Sequence, residues 1–320
     1  MRTLPLRAAL TRGVLLVAAN WPIVFVDFGI ESLYKLAVAV PVFGGALMAG
    51  ALAHGDLRSV VADGVGPTAN LVLGALAESP VALSAFLGAL AIAAIAGEVL
   101  MFVVKAGTLA VLVTADRQVG DIQDEPFGTE ILKDASRFGL DAVVAGARHF
   151  ATRATVLALG LGAIYLLVGL GYVAVVVPSA WAPGAAWPVL VLLATSAAVV
   201  AIEAASLAYD LLRVIVITDD CLVRAAVARL RRFVIEDARQ VLGIFGVMAA
   251  VVLLAGAASL LATAGLAPVA YMPIVGLTIV PLQVALWLFR GLLFQALSLA
   301  SLSAYQTQYR RFSSARTPAS

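Results

Sequence analysis

Ala186 to Ile215 reads AWPVLVLLATSAAVVAIEAASLAYDLLRVI. Only Glu203, Asp210 and Arg213 interrupt this apolar run. It exceeds the about 20 residues that carry an α-helix across the hydrocarbon core of a bilayer, whereas buried helices of soluble domains show about 10 to 14 such residues. Five more runs of this kind follow the chain: Trp21 to Leu52, Val81 to Thr114, Ala154 to Val177, Val241 to Ala264 and Val275 to Ala304. Several are longer than a span requires and must tilt, kink or project beyond the lipid; Pro41 and Pro281 offer places to kink. The rest of the composition agrees. Of 320 residues 62% are hydrophobic and 12% charged, and the mean hydropathy is +1.04. A soluble chain carries about 25% charged residues. The expected fold is all-α: a polytopic membrane bundle of six transmembrane helices, forming one domain over residues 1–312 with a short polar tail at 313–320.

Basic residues set the expected orientation, because Lys- and Arg-rich loops stay in the cytoplasm. Arg2, Arg7 and Arg12 precede the first span. Arg117, Lys133, Arg137, Arg148 and Arg153 lie between spans two and three. Arg213, Arg224, Arg229, Arg231, Arg232 and Arg239 lie between or beside spans four and five, and Arg310, Arg311 and Arg316 follow span six. Together they make 17 of the 21 basic residues. The opposite loops hold Arg58 alone. Both termini are therefore expected in the cytoplasm, in a cytoplasmic (inner) membrane of bacterial type. Trp181, Trp187, Tyr172 and Tyr271 fall near the opposite ends of their spans, as interfacial aromatics do. The N-terminal segment has no small-x-small site and is not read as a cleaved signal.

Each hairpin of spans follows a segment of similar design: LRAALTRGVLLVAANW, LDAVVAGARHFATRAT and VRAAVARLRRFVIEDARQV. Aligning Ala8, Ala142 and Ala225 brings Leu16, Phe150 and Phe233 to one position. In the third copy Val223, Ala226, Val227, Leu230, Phe233 and Val234 follow helical spacing, with Arg224, Arg231 and Arg232 off the stripe. Such a basic amphipathic helix lies in the headgroup layer or packs on the bundle as a cytoplasmic extension; the first is the expectation. The second span of each hairpin carries a polar pair two helical turns apart, Glu98 and Lys105, Glu203 and Asp210, Gln283 and Arg290, which shares a face. The chain thus reads as three units of amphipathic helix plus transmembrane hairpin, 5–115, 139–217 and 222–305, in parallel orientation.

Ionisable groups at membrane depth are costly, and they face protein or water. Asp27, Glu31 and Lys35 recur every fourth residue of span one, and Glu31 and Lys35 have the order of a stabilising pair. With Glu98, Lys105, Glu203, Asp210, Arg213 and Arg290 they form a near-balanced set. The candidate intramembrane cluster is Glu31, Lys35, Glu98, Lys105, Glu203, Asp210, Arg213 and Arg290. Glu98, Glu203 and Arg290 are expected to point into the bundle. Two roles stay open: interhelical ion pairs that hold the bundle, or a polar path for an ion or small substrate.

Motifs for catalysis are absent from the sequence: no HExxH, no GxSxG, no Walker sequence. Tyr209-Asp210 matches one half of the intramembrane aspartyl protease signature, but the Gly-x-Gly-Asp half is missing; the nearest string, QVGD, ends at Asp121 in a loop. Asp121, Asp124, Glu125 and Glu130 lack calcium-loop spacing. His54 and His149 have no partner spacing for a metal. Cys221 alone allows no intrachain disulfide and reads as a reduced, ordinary small residue. No catalytic residue, cofactor or metal is expected.

The stretch VIVITDDCLVRAAVARLRRFVIEDARQVLGIF runs from a span through an Asp pair and a basic helix into the next span. The final stretch, PLQVALWLFRGLLFQALSLASLSAYQTQYRRF, ends in a Tyr-Arg signature. Together they resemble the membrane domains fused to some bacterial glycerophosphodiester phosphodiesterases and related stand-alone membrane proteins. The resemblance covers about the C-terminal third, and the rest only in layout. It implies a membrane fold and not the phosphodiesterase activity, since the chain has no room for that barrel and lacks its carboxylate and histidine cluster. The expected function is that of a non-enzymatic accessory or scaffold component that binds membrane lipids or another membrane subunit, with no nucleic-acid partner. The alternative is a small transporter or channel using the intramembrane charges.

Overall fold

The computed structural model describes residues 5–54, 80–120, 122–123, 129–179, 186–270 and 273–314. The regular structure among them is entirely helical. In chain order the helices are α1 (Leu6–Ala19), α2 (Pro22–His54), α3 (Pro80–Gln118), α4 (Thr129–Ala135), α5 (Leu140–Ser179), α6 (Ala186–Thr218), α7 (Val223–Glu236), α8 (Ala238–Ala270) and α9 (Pro273–Ser314). Helices α3, α5, α6, α8 and α9 are each long and apolar enough to cross a membrane; α1 with the first part of α2 makes a sixth, bent by 82°. The protein is an all-α, multi-pass membrane protein. Trp181, Tyr271, Arg58 and the acidic residues Asp121, Asp124 and Glu125 lie outside the described residues, as does the tail beyond Ser314.

The bend between α1 and α2 has a local cause. Pro22 brings no N–H to continue the ladder of α1 and has the backbone angle preferred at the start of a helix. Asn20, fully buried, fixes the corner with its side chain. Its Nδ2 donates to the Leu16 carbonyl at 2.9 Å and to the Ala135 carbonyl at 3.0 Å, and its Oδ1 accepts from the Arg137 N–H at 2.7 Å. A second break separates α7 from α8 at Asp237, whose N–H bonds the Phe233 carbonyl at 2.9 Å. Pro41 and Pro281 instead fall inside continuous helices.

The three-unit reading therefore holds in part. Units one and three open with a separate helix, α1 and α7. In unit two the amphipathic segment continues unbroken into the span as α5. The junction there, HFATRATV, has neither a proline nor a buried Asn or Asp to stop the ladder. The aligned positions do share an environment: Leu16, Phe150 and Phe233 are all buried.

Contacts divide the described residues into two compact units, Gly29–Met101 and the remainder, Met1–Phe28 with Phe102–Ser320. In the larger unit α1 packs along α9, α5 on α6 and α8 on α9. Its core lies at one end of the spans. The buried residues of α6 are confined to 211–218. Those of α9 run from Gln295 to Tyr309, and those of α5 from Val143 to Leu161. Close crossings of small residues build this end. A Cβ on Gly13 would stand 2.6 Å from the Ala300 carbonyl oxygen and 2.9 Å from the Ala304 nitrogen, so the backbones of α1 and α9 touch. A Cβ on Gly146 of α5 would stand 2.9 Å from Ala110 Cβ of α3.

Candidate functional site: a polar centre at the packed end of the spans

Asp116, in the last turn of α3, is the hub of this end and is 1% exposed. Arg12 of α1 donates from Nε to Asp116 Oδ1 at 2.7 Å. Its Nη1 donates to the Gly120 carbonyl at 2.6 Å and to Gln123 Oε1 at 2.9 Å. Its Nη2 donates to the carbonyls of Asp116 at 3.1 Å and Val119 at 3.2 Å. A guanidinium has five N–H donors, and here all are used. Three of the acceptors are backbone carbonyls, that of Asp116 in the last turn of α3 and those of Val119 and Gly120 just beyond it, where the ladder of the helix has run out. Arg12 thus neutralises a buried carboxylate and caps a helix at once.

The other oxygen of Asp116 is held from α9. Gln306 Nε2 donates to Oδ2 at 3.2 Å, and Arg310 forms an ion pair with the same atom. In the run Gln306 to Arg310, QTQYR, Gln306 and Arg310 reach Asp116, while Gln308 and Tyr309 reach other elements. Gln308 Nε2 donates to Asp237 Oδ2 at 2.6 Å, at the α7–α8 break. Tyr309 donates its hydroxyl hydrogen to Asp219, just beyond α6, and Arg229 of α7 pairs with the same carboxylate. Arg117 donates to the Thr218 carbonyl, capping α6 as Arg12 caps α3. Phe233 of α7 completes the packing, with ring centroids 5.4 Å from Tyr309 and 5.3 Å from Phe312.

Between these groups lies a cavity of about 410 Å³. Arg12, Asp116, Arg117, Asp219, Arg310 and Arg311 line it, with the hydroxyl-bearing Thr218, Thr307, Ser313 and Ser314. The turn beside it carries a second charged cluster. Asp220 adopts φ 47°, a left-handed conformation that Asp tolerates better than most residues. It pairs with Arg153 and lies 3.1 Å from His149 Nε2. The bonds from Arg153 and then His149 hold its carboxyl below the usual range. Asp219 raises the Arg229 guanidinium further above its already high value. Burial pushes the Cys221 thiol up, so it is a poor nucleophile at neutral pH.

The intramembrane charges named from the sequence fall in both units, Glu31, Lys35 and Glu98 in Gly29–Met101 and the others in the larger one. Glu31 and Lys35 pair along α2 at 2.7 Å, with Lys35 mostly exposed. Glu98 is half-buried on α3 in that same unit. Asp210 and Arg213 pair along α6 at 2.9 Å. Arg213 is buried and stands over the Phe102 ring, 5.9 Å from its centroid. Lys105 is half-buried. Glu203 and Arg290 are exposed, where interior positions were expected. Arg290 stands 5.6 Å from the ring of Phe294 on its own helix. It borders a space of about 310 Å³ with Ser259, Thr263, Gln283 and Trp287. The pairs Glu31–Lys35 and Asp210–Arg213 each lie within one helix.

Asp116, Gln306 and Tyr309 escaped the sequence reading. Asp116 stands where a span gives way to an acidic loop, and looks like the first solvated residue of that loop. The Tyr-Arg signature of 309–310 and the Asp pair 219–220 were visible as strings, but nothing in them shows that one string bonds the other. Among the described residues no group of His, Cys, Asp and Glu is placed to hold a metal ion. No family model, curated protein or solved structure matches the chain.

Proposed function

We infer that the chain is a non-enzymatic accessory or scaffold protein of a cytoplasmic membrane, both termini in the cytoplasm, whose basic packed end engages anionic lipid headgroups. The observation that carries this is α7. Its Ala226 and Phe233 are buried in the larger unit, to which α7 belongs. A second apolar stripe, Val227, Leu230 and Val234, runs beside them at helical spacing; Val227 and Val234 are exposed, flanked by Arg224 and Arg231. A helix fixed on one face, with apolar and arginine side chains on the next, suits the headgroup layer. The resemblance to membrane domains of glycerophosphodiester phosphodiesterases belongs to the same proposal, as a membrane module without the phosphodiesterase chemistry. A transport role would require the intramembrane charges to share a path; the local pairs Glu31–Lys35 and Asp210–Arg213 and the exposure of Glu203 favour the scaffold reading.

The test is site-directed spin labelling in the Cys221→Ser background, in vesicles containing phosphatidylglycerol. Labels at 227 and 234 should be accessible to oxygen and shielded from a water-soluble nickel chelate; labels at 228 and 232 should show the reverse. Aqueous accessibility at all four positions would remove the headgroup-layer reading.

A further inference from the structure

We propose that the space between α8 and α9 bordered by Arg290 receives Glu203 of a second copy of this chain, and that the two residues pair within the membrane. The inference needs the multi-pass membrane fold and is independent of the headgroup-layer reading of α7.

Isolation is the first argument. Glu203 is the only charged residue from 154 to 209, and Arg290 the only one from 240 to 309. Both are exposed, among exposed apolar neighbours: Val200 and Ile202 beside one, Trp287 and Phe289 beside the other. Neither makes an ion pair with a described residue. Charged groups within a span are costly in hydrocarbon and meet protein or water. Of the other carboxylates within the spans, Asp27 is buried, Glu31 pairs with Lys35, Asp210 pairs with Arg213, and Glu98 is half-buried. Glu203 is the one a neighbouring chain can reach.

Depth is the second argument. α6 and α9 both bring their C-terminal ends to the packed end, where Tyr309 bonds Asp219. Glu203 lies 16 residues before Asp219, and Arg290 lies 19 residues before Tyr309. At 1.5 Å per residue these are about 24 Å and about 29 Å, which differ by less than one helical turn. Copies inserted by the same charge rule share one orientation, so the symmetry axis of their assembly runs along the membrane normal and groups meet at equal depth. Glu203 of one copy and Arg290 of the next satisfy that condition.

The receiving space is the third argument. Its about 310 Å³ is lined by Ser259 and Thr263 of α8 and by Gln283, Leu286, Trp287 and Arg290 of α9. Ser259 Oγ is buried and has no hydrogen-bond partner among the described residues. Hydroxyl, amide, indole and guanidinium groups can all donate, and Arg290 is the single charge of these six residues. Such a set suits a carboxylate, which accepts only.

The full chain, carrying a donor or an acceptor fluorophore at its C-terminus, is reconstituted in phosphatidylcholine vesicles, and energy transfer is followed as lipid is added. Wild-type copies should associate. Glu203→Gln and Arg290→Gln should each weaken association about tenfold or more, the scale of one close charge pair, and Glu98→Gln should leave it unchanged. Charge reversal is more specific. Copies with Glu203→Arg should not associate with one another, nor should copies with Arg290→Glu, but a mixture of the two should pair, because each offers the charge the other lacks. Recovery of that kind arises only between chains. Thermal unfolding of each variant shows whether lost transfer is lost folding; if a reversed variant unfolds, the two Gln variants decide. Wild-type copies that stay monomeric at every density, association that the Gln variants at 203 and 290 leave intact or that Glu98→Gln removes, or folded reversed variants that fail to pair on mixing, overturns the proposal. So does a monomer whose Tm rises with oleate only while Arg290 is present, which assigns the space to a fatty-acid carboxylate.

Discussion

Arg12 Nε and Asp116 Oδ1 stand 2.7 Å apart in the interior although 104 residues separate them along the chain. The pair joins the first described helix to the end of α3, and Arg310 brings α9 to the same carboxylate. Removing one member of a buried pair leaves the other charge desolvated, at about 3 to 5 kcal/mol. Arg12→Met or Asp116→Asn should therefore lower thermal stability strongly. The double variant should lose less than the sum of the two, because Arg12 and Asp116 each lose a partner that is already gone. Unfolding in mild detergent measures this cycle, and strictly additive losses would show that the two side chains act independently.

Gly13 should tolerate no side chain. Its Cβ would press on the Ala300 carbonyl, and overpacking costs about 1 to 3 kcal/mol. Gly246→Ala is the control, since a Cβ there meets nothing within 4 Å. A Tm lower for Gly13→Ala than for Gly246→Ala is the expected outcome; equal values would mean that α1 is not seated on α9.

At Asp220, backbone and charge can be separated. Gly at this position keeps the left-handed turn and loses the contacts to Arg153 and His149; Ala loses the contacts and also strains the turn by about 1 kcal/mol or more. Stability should thus fall in the order wild type, Asp220→Gly, Asp220→Ala. Because the folded carboxyl is held below its ordinary value, its contribution is present above the unfolded pKa and is lost as pH falls through the folded one. Asp220→Asn should flatten that acid limb of the stability profile, and an unchanged limb would assign it to other carboxylates.

Thiol labelling tests the orientation. Cys221 adjoins Asp220, on the basic side of the chain, and should resist a membrane-impermeant reagent in intact cells. It should react after permeabilisation. Burial raises its pKa, so the reaction has to be run above neutral pH to be seen. Labelling of intact cells would reverse the assignment of both termini.

Helix positions were legible because length and apolarity alone define a span, and α6 occupies nearly the stretch read from AWPVLV onward. Which face of α6 or α9 turns inward was not legible. Their apolar runs extend around the whole helix, so the inward direction expected for Glu203 and Arg290 rested on the cost of charge in lipid and on no helix face. The stop signals at Asn20-Trp21-Pro22 and Asp237 were in the sequence, and their lack before Thr155 explains why α5 runs on. Asp116, by contrast, acquires its meaning only from Arg12 and Arg310, which approach from helices distant in sequence.

Gln306 to Arg310 bind α3, the end of α6 and the α7–α8 corner, while Ala300 and Ala304 of the same helix carry α1. Nothing before α9 can supply those bonds. During synthesis the earlier spans must therefore wait in the bilayer with Asp116, Asp219 and Asp237 still lacking these contacts. The final helix acts as a bolt shot home last: assembly would be a single late event, and a chain stalled before residue 300 would leave a loose set of hairpins, exposed to quality-control proteolysis at the very end that is most tightly packed in the finished protein.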